Sequence, residues 1–166
     1  SSDVCSSDLL MFELENCLTE ITGMDAASLQ PSAGAQGELT GMLLIFAYHK
    51  SKGRKPAKLI VPDTAHGTNP SSAALCGYKP VPVKSNEQGI LSAGEVASVM
   101  DEDTAGIMIT NPNTLGLFEQ NIREIADIVH EKGGQVYCDG ANLNAVMGIA
   151  SMGRSGVDII HLNLHK

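Results

Sequence analysis

Val157-Asp158-Ile159-Ile160-His161-Leu162-Asn163-Leu164-His165-Lys166 is the stretch that decides the fold of this chain. Asp158 to Leu162 reads as a short, largely apolar strand, and it runs into a histidine and a lysine. Upstream, Gln135-Val136-Tyr137-Cys138 is a second strand-like run, and it leads into Asp139-Gly140-Ala141-Asn142. Further back, Ile107-Met108-Ile109-Thr110 reads as a buried strand and Leu59-Ile60-Val61 as a short one before Pro62. Tyr78 to Val83 is a strand candidate weakened by Pro80 and Pro82, so it belongs at an edge or is irregular.

Helical patterns fill the gaps. Asn69 can cap a helix with Pro70 at its first position, and Gly77 ends it. Ser92-Ala93-Gly94-Glu95 has the form of a capping box opening a helix to about Met100. Ile122, Ile125, Ala126 and Val129 mark a helix that stops at Gly133-Gly134. Nearer the start, Leu10 to Thr22 carries the stripe Leu14, Leu18, Ile21 and is closed by Gly23, with Ala26 to Pro31 as a connector. Gln36 to Lys52 is the next helix. Leu39, Met42, Leu43 and Phe46 are its expected core face, Lys50 and Lys52 suit its C-terminal dipole, and Gly53 suits its cap. Met42, Met100 and Met108 read as core filling.

Strands alternating with helices predict an α/β fold, a mostly parallel sheet with helices on both faces. Such sheets bind ligands beyond the carboxyl ends of their strands. Thr64 and His66 follow one strand, Asn111 to Gly116 another, Asp139 to Asn142 a third, and His165-Lys166 a fourth.

The chain has 166 residues, enough for one domain with a sizeable core. It is 43% hydrophobic and 18% charged, an ordinary balance for a globular protein. A net charge of −8 argues against a nucleic-acid surface, and no apolar run approaches a membrane span. Cys5, Cys17, Cys76 and Cys138 form neither a C-x-x-C pair nor a tight framework, which points to a reducing, cytoplasmic setting. The residue pattern calls for no metal. Residues 1–9 repeat Ser-Ser-Asp without apolar periodicity and resemble a translated sequencing adaptor; they are expected to stand apart from the fold, with 10–166 cut from a longer frame at both ends.

A carboxylate at one strand end and a lysine at a later one is the pairing that pyridoxal phosphate requires. The lysine amine holds the cofactor covalently, and the carboxylate keeps the pyridine nitrogen protonated. Each residue also has a plainer reading. A lone lysine is a solvated charge, an Asp-Gly after a strand is a turn, and a lone histidine is a packed or surface residue. Pro31-Ser32-Ala33-Gly34-Ala35-Gln36-Gly37-Glu38 can cradle an anion on a helix N-terminus or be a flexible lead-in.

Together, four segments in order resemble one family. These are the small-residue loop before Gln36-Gly37-Glu38, Ala65-His66-Gly67-Thr68-Asn69-Pro70, Asp139-Gly140-Ala141-Asn142, and His161-Leu162-Asn163-Leu164-His165-Lys166. The resemblance covers about Leu10 to Lys166 and is to the P-proteins of the glycine cleavage system, the decarboxylating glycine dehydrogenases. It is strongest to the C-terminal-type subunit of their two-subunit bacterial form. It implies part of the large domain of a fold-type I pyridoxal-phosphate enzyme. It implies that Lys166 bonds the cofactor, Asp139 pairs with the pyridine nitrogen and His66 stacks over the ring. Gly34, Ala35 and Gln36 would lie on the phosphate, and Thr68, Ala141 and His165 would line the cofactor. Ala33 stands where some members have serine, which shifts phosphate binding toward the backbone. Asn111 to Gly116 would line the site without individual roles.

The implied reaction is decarboxylation of glycine with transfer of the aminomethyl group to the lipoyl group of H-protein. The implied partners are that lipoylated carrier and an N-terminal-type P-protein subunit, in a hetero-oligomer. Two other readings stay open. One is another enzyme of the same fold, an aminotransferase or a hydroxymethyltransferase. The other is a fragment, inactive alone, that only associates with other subunits.

Overall fold

A computed structural model describes residues 6–166. In chain order the elements are α1 (Ser6–Thr22), α2 (Gly34–Ser51), β1 (Lys58–Pro62), α3 (Asn69–Leu75), β2 (Lys79–Val83), α4 (Ala93–Val99), β3 (Thr104–Thr110), α5 (Ile122–Glu131), β4 (Gln135–Gly140) and β5 (Ile159–Leu162). Two single-turn 3-10 segments, Leu143–Ala145 and Gly153–Ser155, bridge β4 to β5. The strands form one parallel sheet in the order β2-β1-β3-β4-β5. The expected α/β fold with helices on both faces is what the chain adopts. The proline-bearing β2 sits at an edge, where a missing ladder donor costs least.

Side chains alternate across the sheet, so each strand feeds two cores. On one face Met42 and Ile45 of α2 and Ala73 of α3 pack on Leu59, Val61, Met108 and Tyr137. On the other, Val96 of α4 and Ile125 and Val129 of α5 pack on Ile60, Ile107, Ile109 and Val136. Strand β3 lies at the centre and is buried along its whole length. Alternation breaks once: Ala105 and Ile107 face opposite cores although they are two apart. The register of β1 against β3 shifts there, between Lys58 and Ile60. Gly106 sits at this irregularity because a Cβ would come 1.9 Å from the Gln135 carbonyl oxygen.

Several boundaries and faces differ from the sequence expectation. Helix α1 begins at Ser6 rather than Leu10, so residues 6–9 are helical, while residues 1–5 lie outside the described residues. The core face of α2 is Glu38, Gly41, Met42, Ile45 and His49. The expected Leu43 and Phe46 are 51% and 48% exposed. The reason is a set of close approaches. Gly37 and Gly41 lie against His161 and Tyr137, where a Cβ would meet ring or side-chain carbons at 3.0 and 2.4 Å, and this rotates the helix onto its glycine side. Thr68, not Asn69, occupies the N-cap of α3, and neither Thr68 nor Ser92 makes a side-chain capping bond. Strand β4 runs through Asp139 and Gly140, so Asp139 is a strand residue and not a turn. The expected methionines Met42, Met100 and Met108 are all buried.

Candidate functional site

The parallel sheet brings the carboxyl ends of β1, β3, β4 and β5 to one side, and the polar residues singled out in the sequence collect there. Asp139 is the penultimate residue of β4 and is 1% exposed. It is paired in register with Thr110 on one side and His161 on the other. Tyr137 and Asp139 share one face of β4 because they are two residues apart, and His161 joins them from β5. Helix α2 lies across that face on Gly37 and Gly41, which carries Glu38, 4% exposed, in beside them.

Two polar chains result. In the first, Tyr137 Oη and His161 Nδ1 are hydrogen-bonded and their rings stack at 6.0 Å between centroids. His161 Nε2 lies 3.3 Å from Asp139 Oδ1, and the same oxygen accepts the Ala141 N–H at 3.0 Å. In the second, the Thr68 hydroxyl donates to Glu38 at 2.7 and 2.9 Å, and the Ser72 hydroxyl donates to it at 3.0 Å. Thr68 Oγ1 is also 2.8 Å from His66 Nδ1. The loop that carries His66 is tied to the end of β3 by the His66 N–H, which donates to Thr110 Oγ1 at 3.1 Å. The two chains meet: Glu38, His66 and Asp139 offer ligand-type atoms within 4.8 Å of one another. The trio has the donor chemistry of a cation site, but its two carboxylates already serve hydroxyl, amide and imidazole neighbours.

The electrostatics follow from burial. Burial pushes the His161 imidazole below its ordinary value; Asp139 and Glu38 oppose this, while Lys166 and His66 add to it. Asp139, Glu38, His66 and Lys166 therefore all lie within electrostatic reach of His161. Burial, with the nearby charges of Asp139 and Glu38, drives the Tyr137 phenol far above its ordinary range. The neighbouring Cys138 thiol is pushed up to about 12, mainly by burial.

The remaining expected residues are placed as follows. Gly34, Ala35 and Gln36 form the first turn of α2. A Cβ at Gly34 would come 2.8 Å from Asn163 Oδ1, a buried oxygen without a hydrogen-bond partner among the described residues. Gln36 Oε1 accepts from the Ser32 amide and hydroxyl at 2.8 and 2.6 Å. His66, Thr68, His165 and Lys166 are exposed, and Ala141 is half-buried. A cleft of about 650 Å³ opens between α1, the start of α2 and the end of β5; Gly34, His161 and His165 are in its wall, and His66, Thr68, Asp139, Ala141 and Lys166 are not.

Asn111 to Gly116 is spent on loop architecture. The Asn113 side chain donates to Glu119 Oε1 at 2.8 Å and accepts from the Leu115 and Leu117 amides, and Asn111 Oδ1 accepts from the Glu119 amide. The sequence reading missed Glu38, Tyr137 and the partnership of His161 with Asp139. Two signals pointed to them: glycines at 34, 37 and 41, spaced to clear one helical face, and the two-residue period linking Tyr137 with Asp139.

Curated relatives match this chain in sequence. A probable glycine dehydrogenase (decarboxylating) subunit 2 of Caldanaerobacter subterraneus subsp. tengcongensis is 57% identical over 95% of this chain, and one of Desulforamulus reducens is 60% identical over the same share. The chain spans about one third of the length of each, 33% in both cases. In structure it is similar to the glycine decarboxylase (P-protein) of the glycine cleavage system in inhibitor-bound form. That likeness has a TM-score of 0.72 at 20% identity over 93% of this chain and 34% of that one. It is also similar to a sphingosine-1-phosphate lyase of Burkholderia pseudomallei, with a TM-score of 0.79 at 17% identity over 99% of this chain and 43% of that one. These two likenesses show the fold. Residues 2–165 match the beta-eliminating lyase family across nearly the whole sequence, and the chain belongs to that family.

Proposed function

We propose that this chain is the cofactor-holding core of a pyridoxal-phosphate enzyme that decarboxylates glycine and passes the aminomethyl group to the lipoyl arm of an H-protein. The observation that carries the reading is the buried Asp139 carboxylate at the end of β4, with His66 and Glu38 within 4.8 Å and Lys166 within electrostatic reach of its neighbour His161. The naming of the relatives as glycine dehydrogenase (decarboxylating) subunit 2 supports the substrate.

The residues suit the group. Asp139 Oδ1 is engaged by Ala141 and His161, while among the described residues nothing donates to Oδ2, which suits a protonated pyridine nitrogen. The first turn of α2 offers the backbone N–H groups of Gly34 and Ala35 to a phosphate, next to the unsatisfied Asn163 oxygen whose amide can turn toward it, while the Gln36 N–H donates to the Ala33 carbonyl at 3.0 Å. When bound, pyridoxal phosphate supplies a sink for the electrons left by loss of carbon dioxide. His66, which leans on Glu38 through Thr68, would cover the ring. Lys166 would hold the cofactor covalently through its Nζ. Ala141 leaves room beside the ring, and His165 flanks the lysine.

Glycine is the substrate, lipoylated H-protein the acceptor, and an N-terminal-type subunit the partner in a hetero-oligomer. The free Cys17, Cys76 and Cys138 suit a reducing cytoplasm, and no described helix is long and apolar enough to cross a membrane. The test is borohydride reduction after incubation with pyridoxal phosphate, followed by peptide mapping. A pyridoxyl adduct on Lys166, lost in Lys166→Ala, is expected. An adduct confined to another lysine overturns the assignment.

A further inference from the structure

We infer that Tyr137 and His161 form a positioning pair for Asp139, holding one carboxylate oxygen engaged so that the other alone meets the ligand. For a neutral imidazole, the form its burial favours, the atoms leave one self-consistent assignment of protons. Tyr137 Oη and His161 Nδ1 share a hydrogen bond, and His161 Nε2 faces Asp139 Oδ1 at 3.3 Å. If Nδ1 carried the proton, the unprotonated Nε2 would lie 3.3 Å from a carboxylate oxygen in a buried site, which is repulsive. With the proton on Nε2, the imidazole presents N–H to Asp139, and Nδ1 accepts the Tyr137 hydroxyl. The phenol keeps its proton because burial and the charges of Asp139 and Glu38 disfavour the phenolate.

The packing holds this arrangement in place. Tyr137, Asp139 and His161 share the sheet face under α2, and a Cβ at Gly41 or Gly37 would strike the tyrosine ring or the histidine side chain. The imidazole therefore has little room to flip. Asp139 Oδ1 receives the Ala141 amide and faces the His161 N–H, while no described residue donates to Oδ2. The groups facing His161 are Asp139 and Tyr137 on β4, Glu38 on α2, His66 on the loop after β1 and Lys166 beyond β5.

The role at Oδ2 rests on the proposed function; the proton assignment does not. Nitrogen-15 spectra of the histidine rings in the full chain, without cofactor, read the assignment directly. A neutral Nε2–H tautomer for His161 is expected. In Tyr137→Phe the hydrogen bond to the neutral ring is gone, so the protonation midpoint of His161 should move upward. An Nδ1–H tautomer, or a midpoint unmoved by Tyr137→Phe, overturns the inference whatever happens at Lys166. A cofactor arm tests the consequence. His161→Gln can present an amide N–H to Asp139 and a carbonyl to Tyr137, whereas His161→Leu can do neither. Titration with pyridoxal phosphate should show roughly ten-fold weaker binding for His161→Leu and near-native binding for His161→Gln. Equal binding by both variants overturns the positioning role. If His161→Leu fails to fold, the Tyr137→Phe spectra and the His161→Gln titration still decide.

Discussion

At the scale of single residues, this chain is a case of burial assigning chemistry. Asp139 is followed by glycine, a pair that usually makes a turn. Instead it lies within a strand at 1% exposure, with an imidazole and an amide on one oxygen. His49 shows the same logic away from the site. It is buried on the inner face of α2, its Nε2 bonds the Ala105 carbonyl at 2.7 Å, and its Nδ1 has no partner. Burial, with Arg54 adding to it, holds its pKa below the ordinary 6.5, and His161 is depressed in the same direction. The unfolded chain takes up protons at these rings below 6.5, where the folded chain still resists them. Stability should therefore fall as pH drops from 6.5 toward the lower folded midpoints, and should gain nothing from these two rings above it. His49→Gln keeps a donor for Ala105 but cannot titrate. Urea midpoints at pH about 7 and about 5 should show wild type losing more stability than this variant. Equal losses would mean that His49 is not buried neutral.

At the scale of elements, α2 is the piece whose face decides the site. Leu39, Met42, Leu43 and Phe46 make an apolar stripe by spacing alone, yet the helix packs on Glu38, Gly41, Met42, Ile45 and His49. Burying a glycine edge lets the helix axis approach β4 and β5 closely, and one residue's rotation then decides whether Glu38 enters the site. The faces can be told apart by substitution. Ile45 is fully buried, so Ile45→Ala should cost about 2–4 kcal/mol in denaturant unfolding. Phe46 is 48% exposed, so Phe46→Ser should change stability by about 0.5 kcal/mol or less. The reverse ranking would restore the stripe read from spacing. Gly41→Ala belongs with the large effects, because its Cβ would come 2.4 Å from the Tyr137 ring.

At the scale of the whole molecule, the two cores share one sheet. Ile60, Ile107 and Val136 serve one face while Leu59, Met108 and Tyr137 serve the other, so neither core can form without the strands of both. The described residues should unfold in one cooperative transition. Ile45→Ala on the α2 face and Ile125→Ala on the α5 face should each lower the midpoint of that single transition, followed by circular dichroism and by tyrosine fluorescence. Two separated transitions would show that the faces are independent.

The strand-helix alternation, the edge position of β2, the buried β3 and the positions of Thr64, His66 and Asp139 at strand ends were all legible in the sequence, because hydrophobic period and turn residues act locally. Local signals also placed each glycine without saying what it cleared. Tertiary structure alone decided the face of α2, the meeting of Glu38 with His66 and Asp139, and the pairing of Tyr137 with His161. Those contacts join residues far apart in the chain, and their geometry depends on how closely a helix can approach a sheet. That is a property of two surfaces together and is written in neither segment by itself.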